Sequence, residues 1–255
     1  MSYNPLLITR YKLLVSILFV VNFFLLFAGL SLHAEKQLPK TYFLNSASLK
    51  ITKILPPPPA DEQSKHKDKT LLKDAMAACT KKQVERASSV VSDNVFDYTQ
   101  VLGPNFNSKQ LPLTAALFSK IENDSKVAIQ TAKNSFARDR PTTWKKMRDN
   151  EKNEIYSYPS GHTTRAFLWA TLLKDLFPQQ HKELMRQARQ KAWNRVILGR
   201  HYPDDVYAGQ LYGQYLAKQF LKNPKFQQEW AGVKNEVKNV PMEQNTPYPL
   251  LPMSP

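Results

Sequence analysis

Apolar positions recur every three or four residues through most of this chain, the spacing of one face of an α-helix. Leu71, Leu72, Ala75, Met76 and Cys79 make one such stripe, and Phe118, Ile121, Ser125, Ala128, Ala132 and Phe136 make a longer one. Phe167, Leu168, Thr171, Leu172 and Leu176 form a third. Leu184, Ala188 and Ala192 begin a fourth, and Val206, Gly209, Gly213, Leu216 and Phe220 form a fifth. The two glycines in the last stripe predict a close approach between helices. No run of period-two alternation with hairpin turns appears, and with 7 glycines in 255 residues the turn chemistry of a β-protein is missing. The pattern predicts an all-α fold, a single compact helical domain over residues 70–235.

The flanks read differently. Residues 35–69 look like an extended, Pro-rich lead-in: Pro56-Pro57-Pro58-Pro59 favours polyproline II, and residues 65–69 are charged with no core-forming side chain. Residues 236–255 contain Pro241, Pro247, Pro249, Pro252 and Pro255 and read as a disordered tail. Residues 13–32 are apolar except for Ser16, Asn22, Gly29 and Ser31. Arg10 and Lys12 precede them and Ala34 follows, the pattern of an export signal over residues 1–34. The run exceeds the ~7–15 apolar residues of most signals and approaches the ~20 that span a bilayer, so an uncleaved N-terminal anchor, with membrane contact there, is the alternative. Either way the remainder of the chain is expected on the exported side.

Composition narrows the partners. The formal charge is +15, and removing Arg10 and Lys12, the only charged groups of the first 34 residues, leaves +13. Such a chain attracts anions. Neither an aromatic–basic RNA motif nor a Cys/His zinc spacing appears, which points away from nucleic acid and toward small phosphorylated substrates. Cys79 is the sole cysteine, so no intrachain disulfide can form and no thiolate cluster can hold a metal. The sequence leaves homo-oligomer formation open.

Three polar clusters interrupt the apolar helical sequence. The first, over residues 133–141, offers Lys133 and Arg140, two helical turns apart if the helix runs on to Arg140-Pro141, where proline should end it. The second is Pro159-Ser160-Gly161-His162. Ser160 suits a helix N-cap, Gly161 lets backbone approach an anion, and His162 stands in the first turn. The third is Arg195, then His201, then Asp205. Gly199 should end one helix and Pro203 should start the next, so Asp205 can reach back to a ring N–H of His201 and leave the other nitrogen open. Together the clusters hold what phosphoryl transfer needs: cations for the oxygens, a nucleophile, an acid for the leaving oxygen, and a carboxylate to orient a ring. The residues alone leave open which histidine attacks.

Their order and spacing (Lys-x6-Arg-Pro, Pro-Ser-Gly-His, and Arg-x5-His-x3-Asp) resemble the signature of the type 2 phosphatidic-acid-phosphatase superfamily. With the upstream Ile54-Leu55-Pro56-Pro57-Pro58-Pro59-Ala60, the chain looks like the bacterial class A non-specific acid phosphatases, which are exported, helical and need no metal. The resemblance implies that Lys133, Arg140, Ser160, Gly161 and Arg195 bind phosphate. It implies that His201 is the nucleophile, that Asp205 orients it, and that His162 is the general acid. It implies no cofactor, and a periplasmic or secreted location, or one anchored to the inner membrane facing the periplasm. Two departures stand out: Asn194 replaces the serine that precedes the last arginine, and a disulfide common in class A enzymes cannot form here. A lipid phosphate phosphatase of the same superfamily is the near alternative. A vanadate-dependent haloperoxidase shares the anion pocket but is typically larger, and a non-catalytic anion-binding exported protein would not need the His201–Asp205 pair.

Overall fold

The computed structural model describes residues 40–45, 49–89, 93–142 and 156–242. The apolar N-terminal run and the tail from residue 243 lie outside the described residues. Four short or peripheral helices come first: α1 (Ile51–Ile54), α2 (Glu62–Ala77), α3 (Lys81–Ser89) and, after a 3-10 turn at Val95–Tyr98, α4 (Thr99–Leu102). The main body follows as α5 (Pro112–Phe136), α6 (Gly161–Leu176), α7 (His181–Ile197), α8 (Pro203–Lys222) and α9 (Pro224–Asn239). Among the described residues the fold is all-α, and extended pairing is confined to one bridge between Asp139 and Tyr156. No described helix is long and apolar enough to cross a membrane.

Helix α6 is the centre of the packing because it is apolar or small on nearly every side: Thr163, Thr164 and every residue from Ala166 to Leu173 are buried. Its broadest contacts are with α8 and then α7. The predicted glycine contact is at the α6–α8 crossing. A Cβ at Gly209 would stand 2.8 Å from the Ser160 carbonyl oxygen, and one at Gly213 would overlap the Thr164 carbonyl oxygen. Only hydrogen side chains admit backbone that near. Aromatic rings then join α5, α6 and α9: Phe118 meets Trp169 at 5.3 Å and Trp230 at 6.2 Å, and Phe226 stacks on Trp230 at 5.2 Å.

Three expectations need correction. The lead-in is not extended throughout. Asp61 caps α2 by accepting the Ser64 N–H at 2.8 Å, and the helix spans the charged stretch. Its apolar stripe is interrupted because one of its two buried positions is a carboxylate, Asp68, beside Leu72. The final helix continues to Asn239, inside the segment read as tail, because Val233 and Val237 extend the buried face of Phe226 and Trp230. Helix α5 stops at Phe136, four residues before Arg140. Ala137 takes the left-handed conformation (φ 47°, ψ 34°) and gives its N–H to the Lys133 carbonyl at 2.9 Å. The chain then runs extended, and Ser157 N–H reaches the Arg138 carbonyl at 2.8 Å.

A buried carboxylate on α5 holds the segment at residues 42–44. Asp124, fully buried, accepts the backbone N–H groups of Tyr42, Phe43 and Leu44 at 2.8, 2.8 and 2.9 Å. That satisfies three backbone donors at once and lets Phe43 pack edge-on against Phe220 and Phe226.

Candidate active site

Backbone hydrogen bonds bring the three clusters to one place. The Asp139–Tyr156 bridge and the Ser157–Arg138 bond join the first cluster to the approach of the second. Ser160 N–H donates to the Asp205 carbonyl at 2.9 Å, joining the second to the third. Around this junction lies a cavity of about 280 Å³ lined by Lys133, Arg140, Gly161, His162 and His201, with Lys126, Ile129, Gln130, Asn134, Tyr156 and Arg165. Both imidazoles therefore open onto one space.

Each side chain is fixed by its element. Lys133, in the last turn of α5, points its ammonium at the Tyr156 carbonyl, 2.5 Å away. Arg140 sits beyond the helix, on the extended segment, rather than two turns along it. Its Nη1 lies 3.1 Å from the Arg200 carbonyl and 3.2 Å from His201 Nε2. Ser160 caps α6, its Oγ accepting from Thr163 N–H at 3.4 Å and from the Thr163 hydroxyl at 3.0 Å. Gly161 opens that helix and forms a wall of the cavity. Helix α7 ends at Ile197 and Gly199 turns with φ 63°, as the sequence predicts. The Arg195 carbonyl then accepts the N–H groups of Arg200 and His201 at 3.0 and 3.3 Å. Ser160 and Arg195 are buried, at 0% and 1% exposure, and lie behind the residues that line the cavity. Asn194, the departure from the family serine, is buried too, and its amide oxygen takes the Gln190 side-chain N–H at 2.9 Å.

The hydrogen bonding selects the His201 tautomer. A guanidinium can only donate, so Nε2 beside Arg140 is an acceptor and the ring proton sits on Nδ1. Nδ1 faces Asp205 Oδ2 at 3.4 Å. Pro203 starts α8, and Asp205 in its first turn also accepts Tyr202 N–H at 2.9 Å. Nε2 is thus the nitrogen turned to the cavity.

Sequence reasoning missed several contributors. Arg138 donates to Asp205 Oδ1 at 2.7 Å and to Asp68 Oδ2 at 2.5 Å, and its guanidinium lies over the Tyr202 ring at 4.3 Å. Burial pushes the Asp205 carboxyl above its ordinary value, against the pull of Arg138 and the Tyr202 N–H. Asp93 lies 3.5 Å from His162 Nε2 and pairs with Arg165 through Nε at 3.0 Å and through Nη2. Burial opposes the charge on Asp93, but Arg165 and His162 outweigh it and hold its carboxyl below the usual range. Nothing in local spacing announces Asp93 or Asp68, since their partners are distant in sequence. The stretch 143–155, between the first and second clusters, lies outside the described residues.

Comparison with known proteins places the chain in a family. Residues 112–228 match the PAP2 superfamily. A non-specific acid phosphatase of Salmonella typhi is 30% identical over 198 residues, covering 72% of this chain and 78% of the relative. This chain belongs to the PAP2 superfamily. A non-specific acid phosphatase of Providencia stuartii is 25% identical over 214 residues, covering 78% and 85% of the two chains. An acid phosphatase of Zymomonas mobilis is 27% identical over 239 residues, 88% of each. The PAP2 match runs from the first residue of α5 into α9, so it contains every residue that lines the cavity.

Proposed function

We propose that this PAP2-superfamily chain is an exported acid phosphatase that hydrolyses phosphate monoesters without a metal, through a phosphohistidine on His201. The observation that carries the reading is the shared cavity: His201 Nε2, its proton displaced to the Asp205 side, faces the same cationic space as His162. The permanently charged lining groups are ammonium and guanidinium, which receive a phosphate dianion and repel a divalent cation.

In this reading Lys133, Arg140 and the Gly161 N–H at the start of α6 hold the phosphoryl oxygens, while Ser160 and Arg195, buried outside the cavity lining, back that cradle. Nε2 of His201 attacks phosphorus, and the bond to the ester oxygen breaks. His162 gives its proton to that oxygen as the alcohol leaves. The positive charge formed on His201 is balanced by Asp205. Water then attacks the phosphoryl group, His162 takes its proton, and the P–N bond breaks to release phosphate and free His201. The need for a protonated His162 in the first step predicts an acidic optimum.

Export is supported by Arg10, Lys12, the apolar residues 13–32 and Ala34. Phosphate release from phenyl phosphate at about pH 5–6, unchanged by EDTA, is the expected result. Activity abolished by EDTA and restored by a divalent metal would overturn the metal-free reading.

A further inference from the structure

The cavity carries more cations than one phosphoryl group requires. Lys126 and Arg165 line it alongside Lys133 and Arg140, and no aspartate or glutamate is among its lining residues. Lys126 is exposed and paired with Glu122 at 2.7 Å, so solvent weakens its pull. Arg165 differs. Its side chain is 14% exposed, and Asp93 grips it through Nε and Nη2. That two-point contact leaves Nη1 outside the grip and fixes where it points. A Cβ on Gly161 would stand 3.9 Å from Nη1 and 4.0 Å from Lys133 Cε, so the guanidinium edge and the lysine stem meet at the same stretch of cavity wall. The carboxylate oxygen of Asp93 that holds Nη2 also lies 3.5 Å from His162 Nε2. Arg165 is therefore on the general-acid side of the cavity, where the leaving group departs.

We infer that Arg165 forms a second anion subsite beside the phosphoryl cradle, for substrates whose leaving group carries its own negative charge next to the scissile oxygen, as in a diphosphate. The inference rests on the phosphatase reading of the same cavity and extends it to substrate class. A pre-oriented guanidinium, held by a carboxylate that stays charged in mild acid, costs little reorganisation when it receives an anion. Asp93 is a positioning residue here, since it acts through Arg165 and His162.

The test is calorimetric titration of the full chain with methylenediphosphonate and with methylphosphonate, neither of which can be hydrolysed. The wild type is expected to bind the diphosphonate at least ten times more tightly. In Arg165→Leu that ratio should fall at least fivefold, with the melting temperature recorded to confirm folding. If Arg165→Leu does not fold, Arg165→Lys, which keeps a charge but cannot make the two-point contact with Asp93, should show a smaller drop in the same ratio. A ratio unchanged in a folded variant, or a wild type with no preference for the diphosphonate, overturns the subsite. Phenyl phosphate turnover is measured in parallel. Its absence in the wild type, with the Arg165-dependent preference intact, would sink the phosphatase reading and leave the subsite standing.

Discussion

The guanidinium of Arg138 lies 2.7 Å from Asp205 Oδ1, while the other oxygen of that carboxylate faces His201 Nδ1 at 3.4 Å. Arg138 also holds Asp68, so one arginine links α2 to the carboxylate that orients the proposed nucleophile. Both carboxyls are raised above their ordinary value, by burial first, with Arg138 pulling each back down. Losing Arg138 leaves two buried carboxyls without their cation.

Arg138→Gln is therefore expected to destabilise the fold by about 3 kcal/mol. A carboxyl whose folded value is raised binds more protons when folded, so stability falls as pH rises from the unfolded value of 3.8 to the folded one. The stability loss in the variant should thus be larger at about pH 7 than at about pH 4. Because protonated Asp205 cannot balance the charge on His201, the acid limb of the rate profile should move to higher pH. Denaturant melts at the two pH values and a pH–rate profile check both. An acid limb at the wild-type position would separate Arg138 from Asp205 function.

Asp93 has the opposite sign. Its carboxyl is held down, so the stability it contributes is present above the unfolded value of 3.8 and is lost as pH falls through the folded value. Asp93→Asn should cost about 1 kcal/mol at about pH 6, and that cost should shrink as pH falls below the unfolded value of 3.8. The Asp93 carboxylate, 3.5 Å from His162 Nε2, is also placed to stabilise a proton on that ring. The alkaline limb of the rate profile is expected to move to lower pH in Asp93→Asn. A limb that stays in place would mean that Asp93 serves the fold alone.

The glycine crossing gives a sharper stability test. Gly213→Ala drives a methyl into the Thr164 carbonyl and should cost about 2–3 kcal/mol, read as a fall in melting temperature of roughly 5–10 °C. Gly209→Ala meets Ser160 and Thr163, residues of the α6 cap, and is expected to lower phenyl phosphate turnover as well as stability. Alanine tolerated at both positions would show that the helices can separate freely.

Much of this was legible in the sequence because it is written in local spacing. The stripes of α5, α6 and α8 come from apolar side chains at helical intervals. The Gly209 and Gly213 contact follows from their four-residue step. Lys133, Gly161, His162 and His201 line one cavity because their motifs are short and end or begin helices. The rest was hidden for physical reasons. Helix α2 buries a carboxylate where an apolar residue would have marked its face, and α5 ends on a left-handed alanine that no proline or glycine announces. Arg138, Asp68 and Asp93 earn their roles through partners 67, 70 and 72 positions away, which spacing does not encode.

The most direct test is to quench the wild-type enzyme during turnover of a substrate labelled in its phosphoryl group, then locate the label by peptide mass spectrometry. The account predicts an acid-labile, alkali-stable phosphoryl group on Nε2 of His201, absent from His201→Ala, whose folded protein should show almost no turnover. Label on His162 instead, or undiminished turnover by folded His201→Ala, would contradict it.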